Sequence, residues 1–209
     1  MGYEFDEVIS TRAQLRATFD TPDEKVIAKE IDHLDEICAR FIAASSFIVV
    51  GTRGADNMLD LSPKGDPAGF VHIVDKHTLV IPDRPGNNRL DTFENVLIND
   101  QIGLLFIIAG NKDTLRVTGT AQIVRDKALE EKMALNGRAP TLLLAVSVKQ
   151  VFMHCSKCML RSGLWQTEKW PELADVPTLA EGMVAHGALS VSTTEMQHLI
   201  DDDSEKRLY

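Results

Sequence analysis

The stretch between residues 79 and 99 contains the side chains best suited to binding a ligand. An apolar strand end stops at Pro82 and leads into a turn-rich connection with two arginines, Arg84 and Arg89. A helical pattern of apolar residues begins at Leu90. Unpaired backbone N–H groups at a helix start favour an anion, and guanidinium groups add forked donors. The stretch therefore predicts an anion site, although its Pro-Gly and Asn-Asn pairs also fit a solvated turn.

Two further basic turns follow predicted strands earlier in the chain. Thr52-Arg53 ends the first strand, and Ser62-Pro63-Lys64 follows the second. If these strands are neighbours, the three basic regions converge on one phosphate. Scattered surface cations are the alternative, and spacing alone does not separate the two.

The segment around Cys155-x-x-Cys158 is the second informative one. With His154 beside it, the pair suggests zinc or a redox dithiol, but a structural zinc site needs four ligands and only Cys38 remains. Cationic, hydroxyl and aromatic side chains follow the pair and suit a phosphate or a stacked flat ring: Lys157, Arg161, Ser162 and Trp165. Alternatively, Trp165 and Trp170 pack as core.

The sequence contains no self-contained catalytic set. Gly51-Thr-Arg-Gly54 has the wrong spacing for a dinucleotide fingerprint, and no P-loop, His-Glu-x-x-His or Gly-x-Ser-x-Gly motif occurs. His72 and His77 are expected at the surface or partly buried near a strand turn. An enzyme of this kind would take its chemistry from a cofactor.

Composition indicates an ordinary globular protein of 209 residues with 44% hydrophobic and 25% charged residues. The net charge of −9 argues against general binding to nucleic acid or anionic membranes. No apolar run approaches the roughly 20 residues of a membrane span, and the acidic N-terminus does not fit a signal peptide. Three cysteines do not make a disulfide framework, so we expect a cytoplasmic protein.

Periodicity predicts a mainly β fold with flanking helices. Residues 1–44 are expected to be helical, with a capping box at Thr21-Pro22-Asp23-Glu24, and residues 62–67 form a loop. Helices are also expected over 126–135, with Gly137 as C-cap, and over 192–207, where Ser192 and Glu195 have capping-box spacing. Short strands separated by tight turns favour an antiparallel barrel or closed sheet: 47–52, 57–62, 70–74, 78–81, 102–108, 114–124 and 142–153.

Taken together, residues 45–166 resemble the pyridoxamine 5′-phosphate oxidase-like family of FMN-binding split β-barrels. They are similar in particular to a bacterial subgroup of FMN-dependent enzymes. Four motifs carry the resemblance: Ser62-Pro63-Lys64-Gly65-Asp66, Ile81-Pro82-Asp83-Arg84-Pro85-Gly86-Asn87-Asn88-Arg89, Leu115-Arg116-Val117-Thr118-Gly119-Thr120-Ala121, and His154-Cys155-Ser156-Lys157 with Arg161-Ser162-Gly163-Leu164-Trp165.

The resemblance implies a six-stranded antiparallel split β-barrel in a homodimer, with two FMN sites across the subunit interface. We expect one domain over 1–209, with N-terminal helices to 44, a barrel core over 45–155 and a flavin-contacting C-terminal segment over 156–209. Family positions that hold the FMN phosphate and ring edge correspond to Arg53, Ser62, Lys64, Arg84, Asn88 and Arg89. Those that reach flavin, often from the other subunit, correspond to Lys157, Arg161, Ser162 and Trp165.

These implications lead to an FMN-dependent oxidoreductase acting on a small organic substrate, with no metal site and with catalytic residues unassigned. The Trp- and Arg-rich C-terminal motif of the vitamin B6 oxidase itself is absent, so the resemblance does not imply that substrate. Alternatives are a flavin or haem carrier on the same barrel, with His72, His77 or His154 as haem ligand, a deazaflavin protein, and a thiol redox or zinc protein.

Overall fold

The computed structural model describes residues 2–209, in which seven strands form one sheet and eight α-helices flank it. The strands are β1 (Phe47–Arg53), β2 (Leu59–Gly65), β3 (His72–Asp75), β4 (Thr78–Pro82), β5 (Gln101–Ile107), β6 (Thr114–Val124) and β7 (Leu143–His154). The helices are α1 (Arg12–Thr18), α2 (Glu24–Ala28), α3 (Glu36–Ala44), α4 (Asp91–Ile98), α5 (Lys127–Lys132), α6 (Lys157–Ser162), α7 (Leu179–His186) and α8 (Thr193–Lys206). A 3₁₀ turn spans Thr167–Lys169.

The sheet is antiparallel throughout, with strand order β2-β1-β5-β6-β7-β4-β3. The predicted mainly β fold with flanking helices is confirmed, with seven strands where the family resemblance implied six. The edge strands β2 and β3 follow each other along the chain. Within residues 2–209 they do not pair, so the sheet is unclosed.

Strand β2 extends through residues that were predicted to form a loop. Pro63 lies opposite Val49 of β1, and Gly65 lies opposite Phe47. A proline cannot donate to a sheet ladder, but β2 is an edge strand, where one side of the backbone has no neighbour. The prediction of a loop over 62–67 was therefore wrong for residues 63–65, and Ser62 belongs to the strand that was predicted over 57–62.

The larger of two core clusters lies on one face of the sheet and includes residues of α3. Ile48, Val50, Phe106 and Leu115 from three adjacent strands are fully buried and pack in one cluster with Ile42 of α3. Alternation along β6 agrees with the sequence pattern, since its apolar face is buried and Arg116 and Gln122 are exposed.

Strands β6 and β7 approach each other closely at a bulge. The register shifts between Thr118 and Gly119, and a Cβ atom at Gly119 would lie 2.0 Å from the main-chain oxygen of Ser147. Only glycine fits this contact without moving the backbone. The bulge bends the two longest strands of the sheet.

The helices agree only partly with prediction. In α2, Asp23 and not Thr21 is the N-cap, its carboxylate accepts from Lys25 N at 2.8 Å, and Val26 and Ile27 are exposed. Helix α5 ends at Lys132, so Gly137 is not its C-cap. The capping box between Ser192 and Glu195 is confirmed.

Helices α7 and α8 contact each other near the C-terminal end of the chain. Ala180 of α7 and Met196 of α8 are buried. Among residues 2–209, no helix has the length and apolar character needed to cross a membrane.

Candidate functional site

The sheet's inner face changes from apolar to polar at its β2 edge. Three buried positions of β1 pair with three positions of β2: Ile48 with Lys64, Val50 with Ser62 and Thr52 with Asp60. Residues opposite each other in an antiparallel pair lie on the same face. The β2 side chains therefore continue the core face, but they line a cleft instead of filling it.

This cleft has a volume of about 660 Å³. The loop between β4 and α4 forms a second wall, and the chain from Leu135 to Thr141 and Tyr209 complete it. Its volume falls within the roughly 300–1,000 Å³ of small-molecule and cofactor sites. Of the ten predicted site residues, five line it: Ser62, Lys64, Arg84, Asn88 and Arg89.

The α4 end of the cleft has the predicted arrangement of strand, loop and helix start. Leu90 is the N-cap with φ 59°, and it provides no side-chain cap to the first N–H groups of α4. Asn88 also has a left-handed backbone, with φ 60°. For a residue with a Cβ this conformation costs about 1–2 kcal/mol. The uncapped helix start faces the cleft, because Leu90, Asp91 and Thr92 all line it.

Arg84 is committed to the fold. Its Nε donates to Asp66 Oδ2 at 2.6 Å, and its Nη2 donates to the main-chain oxygen of Met133 at 3.0 Å. The Asp66 side chain is only 1% exposed, whereas that of Arg84 is 19% exposed. A buried carboxylate without a cation would be strongly destabilising. Arg84 therefore compensates Asp66 beside the cleft, and its capacity to bind a further anion is limited.

Arg89 and Lys64 are held less firmly. Arg89 Nε donates to Asp91 Oδ2 at 2.7 Å, but both side chains are exposed. The Lys64 ammonium makes no ion pair within residues 2–209, and neither it nor the Ser62 hydroxyl donates a hydrogen bond there. Lys64 and Ser62 are consequently available donors on the sheet edge.

Asp83 is a carboxylate of the cleft that belongs to the motif over 81–89 but was not a predicted site residue. Burial raises its pKa, and the attraction of Lys64 acts against that change. Its position directly before Arg84 was visible in the sequence, but its contact with the distant chain was not, since its main-chain N–H donates to the main-chain oxygen of Leu142 at 3.0 Å.

Three other residues of the cleft were not among the predicted site residues: Asp60, Arg138 and Tyr209. Asp60 Oδ2 is buried and has no hydrogen-bond partner within residues 2–209. Arg138 Nη1 donates to the main-chain oxygen of Tyr209. Desolvation, followed by the Asp66 carboxylate, raises the pKa of the Tyr209 phenol. Arg138 and Tyr209 are 71 positions apart in sequence, and no local pattern connects them.

The other predicted residues lie outside the cleft. Arg53 Nη2 donates to Asn57 Oδ1 at 2.7 Å in the exposed β1–β2 turn. Lys157, Arg161 and Ser162 are exposed on α6. Trp165 is partly buried, donates from Nε1 to the main-chain oxygen of Asn111 at 2.7 Å, and borders a separate cavity of about 370 Å³. Within one chain, the predicted site residues of α6 and Trp165 therefore lie apart from those that line the cleft.

The histidines and cysteines do not form a metal centre in the described residues. Among residues 2–209, no group of three or more His, Cys, Asp or Glu side chains is placed to hold a metal ion. His72 Nε2 lies 3.0 Å from Lys132 Nζ, and no histidine lines the 660 Å³ cleft. The haem and zinc hypotheses thus have no ligand set at the candidate site within this part of the chain.

An antiparallel sheet with flanking helices and a polar cleft at one edge defines a β protein with a candidate small-molecule site. The family model for pyridoxamine 5′-phosphate oxidase matches residues 34–155, which is more than half of the chain. The protein belongs to the pyridoxamine 5′-phosphate oxidase family.

Solved structures show more distant similarity. HupZ from Group A Streptococcus has 18% identity, with coverage of 58% of this chain and 94% of that chain and a TM-score of 0.49. A protein of Lactobacillus delbrueckii described as a putative pyridoxamine 5′-phosphate oxidase has 18% identity, coverage of 58% and 95%, and a TM-score of 0.46. General stress protein 26 of Bacillus anthracis has 17% identity, coverage of 55% and 88%, and a TM-score of 0.43. No curated protein sequence matches the chain.

Proposed function

We propose that the 660 Å³ cleft binds FMN and that the protein is an FMN-dependent oxidoreductase acting on a small organic substrate. The observation that carries the proposal is the donor set on the sheet edge. Lys64 and Ser62 both lie on strand β2, across the cleft from the uncapped start of α4. Within residues 2–209, neither side chain donates a hydrogen bond or forms an ion pair. Family membership makes a flavin phosphate the first anion to test.

The residues present fit this group. A phosphate needs charge and several donors, which Lys64, Ser62 and the backbone N–H groups at the start of α4 supply. Asn88 and Arg89 add side-chain donors from the loop. The buried Oδ2 of Asp60 can accept a hydrogen bond from a ligand N–H group. Four cationic and three carboxylate side chains line the cleft. The positions of these groups therefore decide which ligand binds more than the net charge of the cleft does.

When bound, FMN supplies the hydride or electron transfer that the side chains of this chain cannot perform. Lys64 and Ser62 hold the phosphate, and the Arg84–Asp66 pair keeps the loop wall in place. Burial raises the pKa of the Asp83 carboxyl group in the cleft, which suits it to retain a proton nearer neutral pH than an exposed carboxyl does.

We also propose that the protein is a homodimer in which α6 of one subunit reaches the cleft of the other. The separation of the α6 residues from the cleft within one chain supports this arrangement. So does the outer face of the β2 edge, where Leu59 and Leu61 are 76% and 71% exposed. Apolar residues exposed together on a strand favour burial in an interface.

The test compares FMN with riboflavin, which lacks the phosphate, by absorption and flavin fluorescence. Lys64→Ala should weaken FMN binding about 10- to 100-fold, since a hydrogen bond to a charged group contributes about 1.5–3 kcal/mol. Riboflavin binding should change little. Lys76→Ala, an exposed lysine in the β3–β4 turn, is the matched control.

Equal affinity of wild type and Lys64→Ala for FMN would contradict the phosphate site. Equal weakening of FMN and riboflavin binding would indicate that Lys64 contacts the flavin ring and not the phosphate. Thermal unfolding of each variant shows whether the fold is intact. Reduction of the FMN-loaded protein by NADH or NADPH, with turnover on an electron acceptor, then distinguishes an enzyme from a carrier. A carrier binds FMN but shows no turnover.

A further inference from the structure

Cys155 and Cys158 form a pair that the proposed function does not use. Both thiols are exposed, and they lie between the end of β7 and the first turn of α6. Within residues 2–209 no third metal-binding side chain joins them in a cluster. An exposed pair of thiols without a metal is suited to thiol–disulfide chemistry.

The backbone holds the two cysteines at a distance that a disulfide can bridge. Ser156, between them, has φ −71° and ψ −9°, and Lys157 is the first residue of α6. Two consecutive residues in the right-handed helical region make a turn whose flanking Cα atoms lie less than about 7 Å apart. Disulfides span Cα distances of about 4.4–6.8 Å.

The side chain of Cys158 points back toward Cys155. Its Sγ lies 4.0 Å from the main-chain oxygen of Cys155. Because both side chains are exposed, rotation about their Cα–Cβ bonds meets little resistance from packing. Closing the bridge therefore needs no rearrangement of the sheet.

The remaining thiol provides an internal contrast. Cys38 is a buried residue of α3, and desolvation raises its pKa to about 11. The thiolate is the reactive form, so Cys38 is expected to be inert at neutral pH. The same molecule thus contains two accessible thiols and one protected thiol.

We propose that Cys155 and Cys158 form a reversible intramolecular disulfide by exchange with a small-molecule disulfide such as oxidised glutathione. One cysteine thiolate attacks a sulfur of the oxidant and releases one glutathione thiolate. The second cysteine thiolate attacks the resulting mixed disulfide and releases the other. Two protein thiols are oxidised, one glutathione disulfide is reduced to two thiols, and the two protons leave with them.

The test equilibrates the full-length protein in buffers with increasing ratios of oxidised to reduced glutathione, then traps free thiols by alkylation under denaturing conditions. Alkylated thiols should fall from three to one, and dithiothreitol should restore all three. Trypsin cleaves after Lys157, which places the cysteines on separate peptides, 150–157 and 158–161. The oxidised protein should give these peptides joined, with two hydrogen atoms fewer than their sum.

Two variants complete the design. Cys158→Ser should retain glutathione on Cys155 as a mixed disulfide, because no second thiol resolves it. Cys38→Ala should form the joined peptides as the wild type does. The proposal is overturned if wild-type protein keeps three alkylated thiols, accumulates glutathione on both cysteines, or forms disulfide-linked dimers instead.

Discussion

The cleft and helix α6 contain similar residue types but use them differently. In the cleft, Arg84 and Arg89 each pair with a carboxylate, and Lys64 lies on strand β2. On α6, Lys157 and Arg161 are exposed, and within residues 2–209 they form no ion pair. Two cations of the cleft therefore have protein partners, whereas those of α6 are exposed without an ion pair within residues 2–209.

The comparison also shows that position in a motif does not decide what a cation does. Arg84 and Arg89 occur in one loop and both resemble phosphate ligands in sequence. One compensates a buried carboxylate and the other pairs with an exposed carboxylate at the start of α4. The two arginines should therefore respond differently to substitution.

Replacing Arg84 should have the largest effect on the protein. Arg84→Ala leaves the Asp66 carboxylate buried without its cation, which should lower the free energy of unfolding by about 3–5 kcal/mol. Arg89→Ala removes an exposed pair, for which about 0.2–1 kcal/mol is expected. Denaturant unfolding of the two variants measures both values. Similar losses for the two variants would contradict the structural assignment of Arg84.

Local patterns in the sequence predicted most of the strands, the helix start at Leu90 and the capping box of α8. These predictions rest on periodicity, such as the alternation along Thr114–Val124, and on capping chemistry, such as Ser192 with Glu195. Local rules failed where tertiary structure decided the outcome. Pro63 reads as a loop residue in sequence, but an edge strand accommodates it.

The site was predictable as a set of segments but not as a set of contacts. The three basic turns were expected to converge only if their strands were neighbours. In the structure Lys64 and the Arg84–Arg89 loop line one cleft, and Arg53 lies outside it. The partner of Arg84 lies 18 residues earlier, and Tyr209 comes from the far end of the chain. Such partners follow from the fold of the sheet, which sequence spacing does not encode.

Mixing variant subunits should reveal whether α6 completes the cleft of the other subunit. Lys64→Ala and Arg161→Ala should each weaken FMN binding about tenfold or more as homodimers. After subunit exchange in equal amounts, each heterodimer has one site with both residues intact, so roughly a quarter of all sites should regain wild-type affinity. Equilibrium titration with FMN resolves the two classes of site.

Lys64→Ala mixed with Arg89→Ala is the matched control, since both residues line the same cleft. Every heterodimer site then carries one substitution, and no tight sites should form. Recovery in the control, or none with Arg161→Ala, would contradict a site shared between subunits. If the Arg161→Ala homodimer binds FMN with unchanged affinity, Arg161 of α6 does not contribute to the site.

Replacing Asp83 should have the smallest effect on the free energy of unfolding. It tests whether Lys64 is available to a ligand or is held by Asp83. Burial raises the pKa of Asp83 above its unfolded value, so ionising it at neutral pH disfavours the folded state. Asp83→Asn should therefore stabilise the protein at neutral pH, by less than about 1 kcal/mol because solvent screens a half-buried group. The gain should vanish as pH falls below the unfolded value of 3.8. Unfolding across this pH range, with exposed Asp175→Asn as control, measures it.

The same substitution should strengthen FMN binding, because it removes a carboxylate that competes with phosphate for Lys64. If Asp83→Asn instead destabilises the protein at neutral pH, attraction between Lys64 and Asp83 outweighs the desolvation of the carboxylate. Lys64 would then stabilise the fold by pairing with Asp83, as Arg84 does by pairing with Asp66, and it would not be available to bind a phosphate. An anion would have to be held by the start of α4 and by residues of the partner subunit.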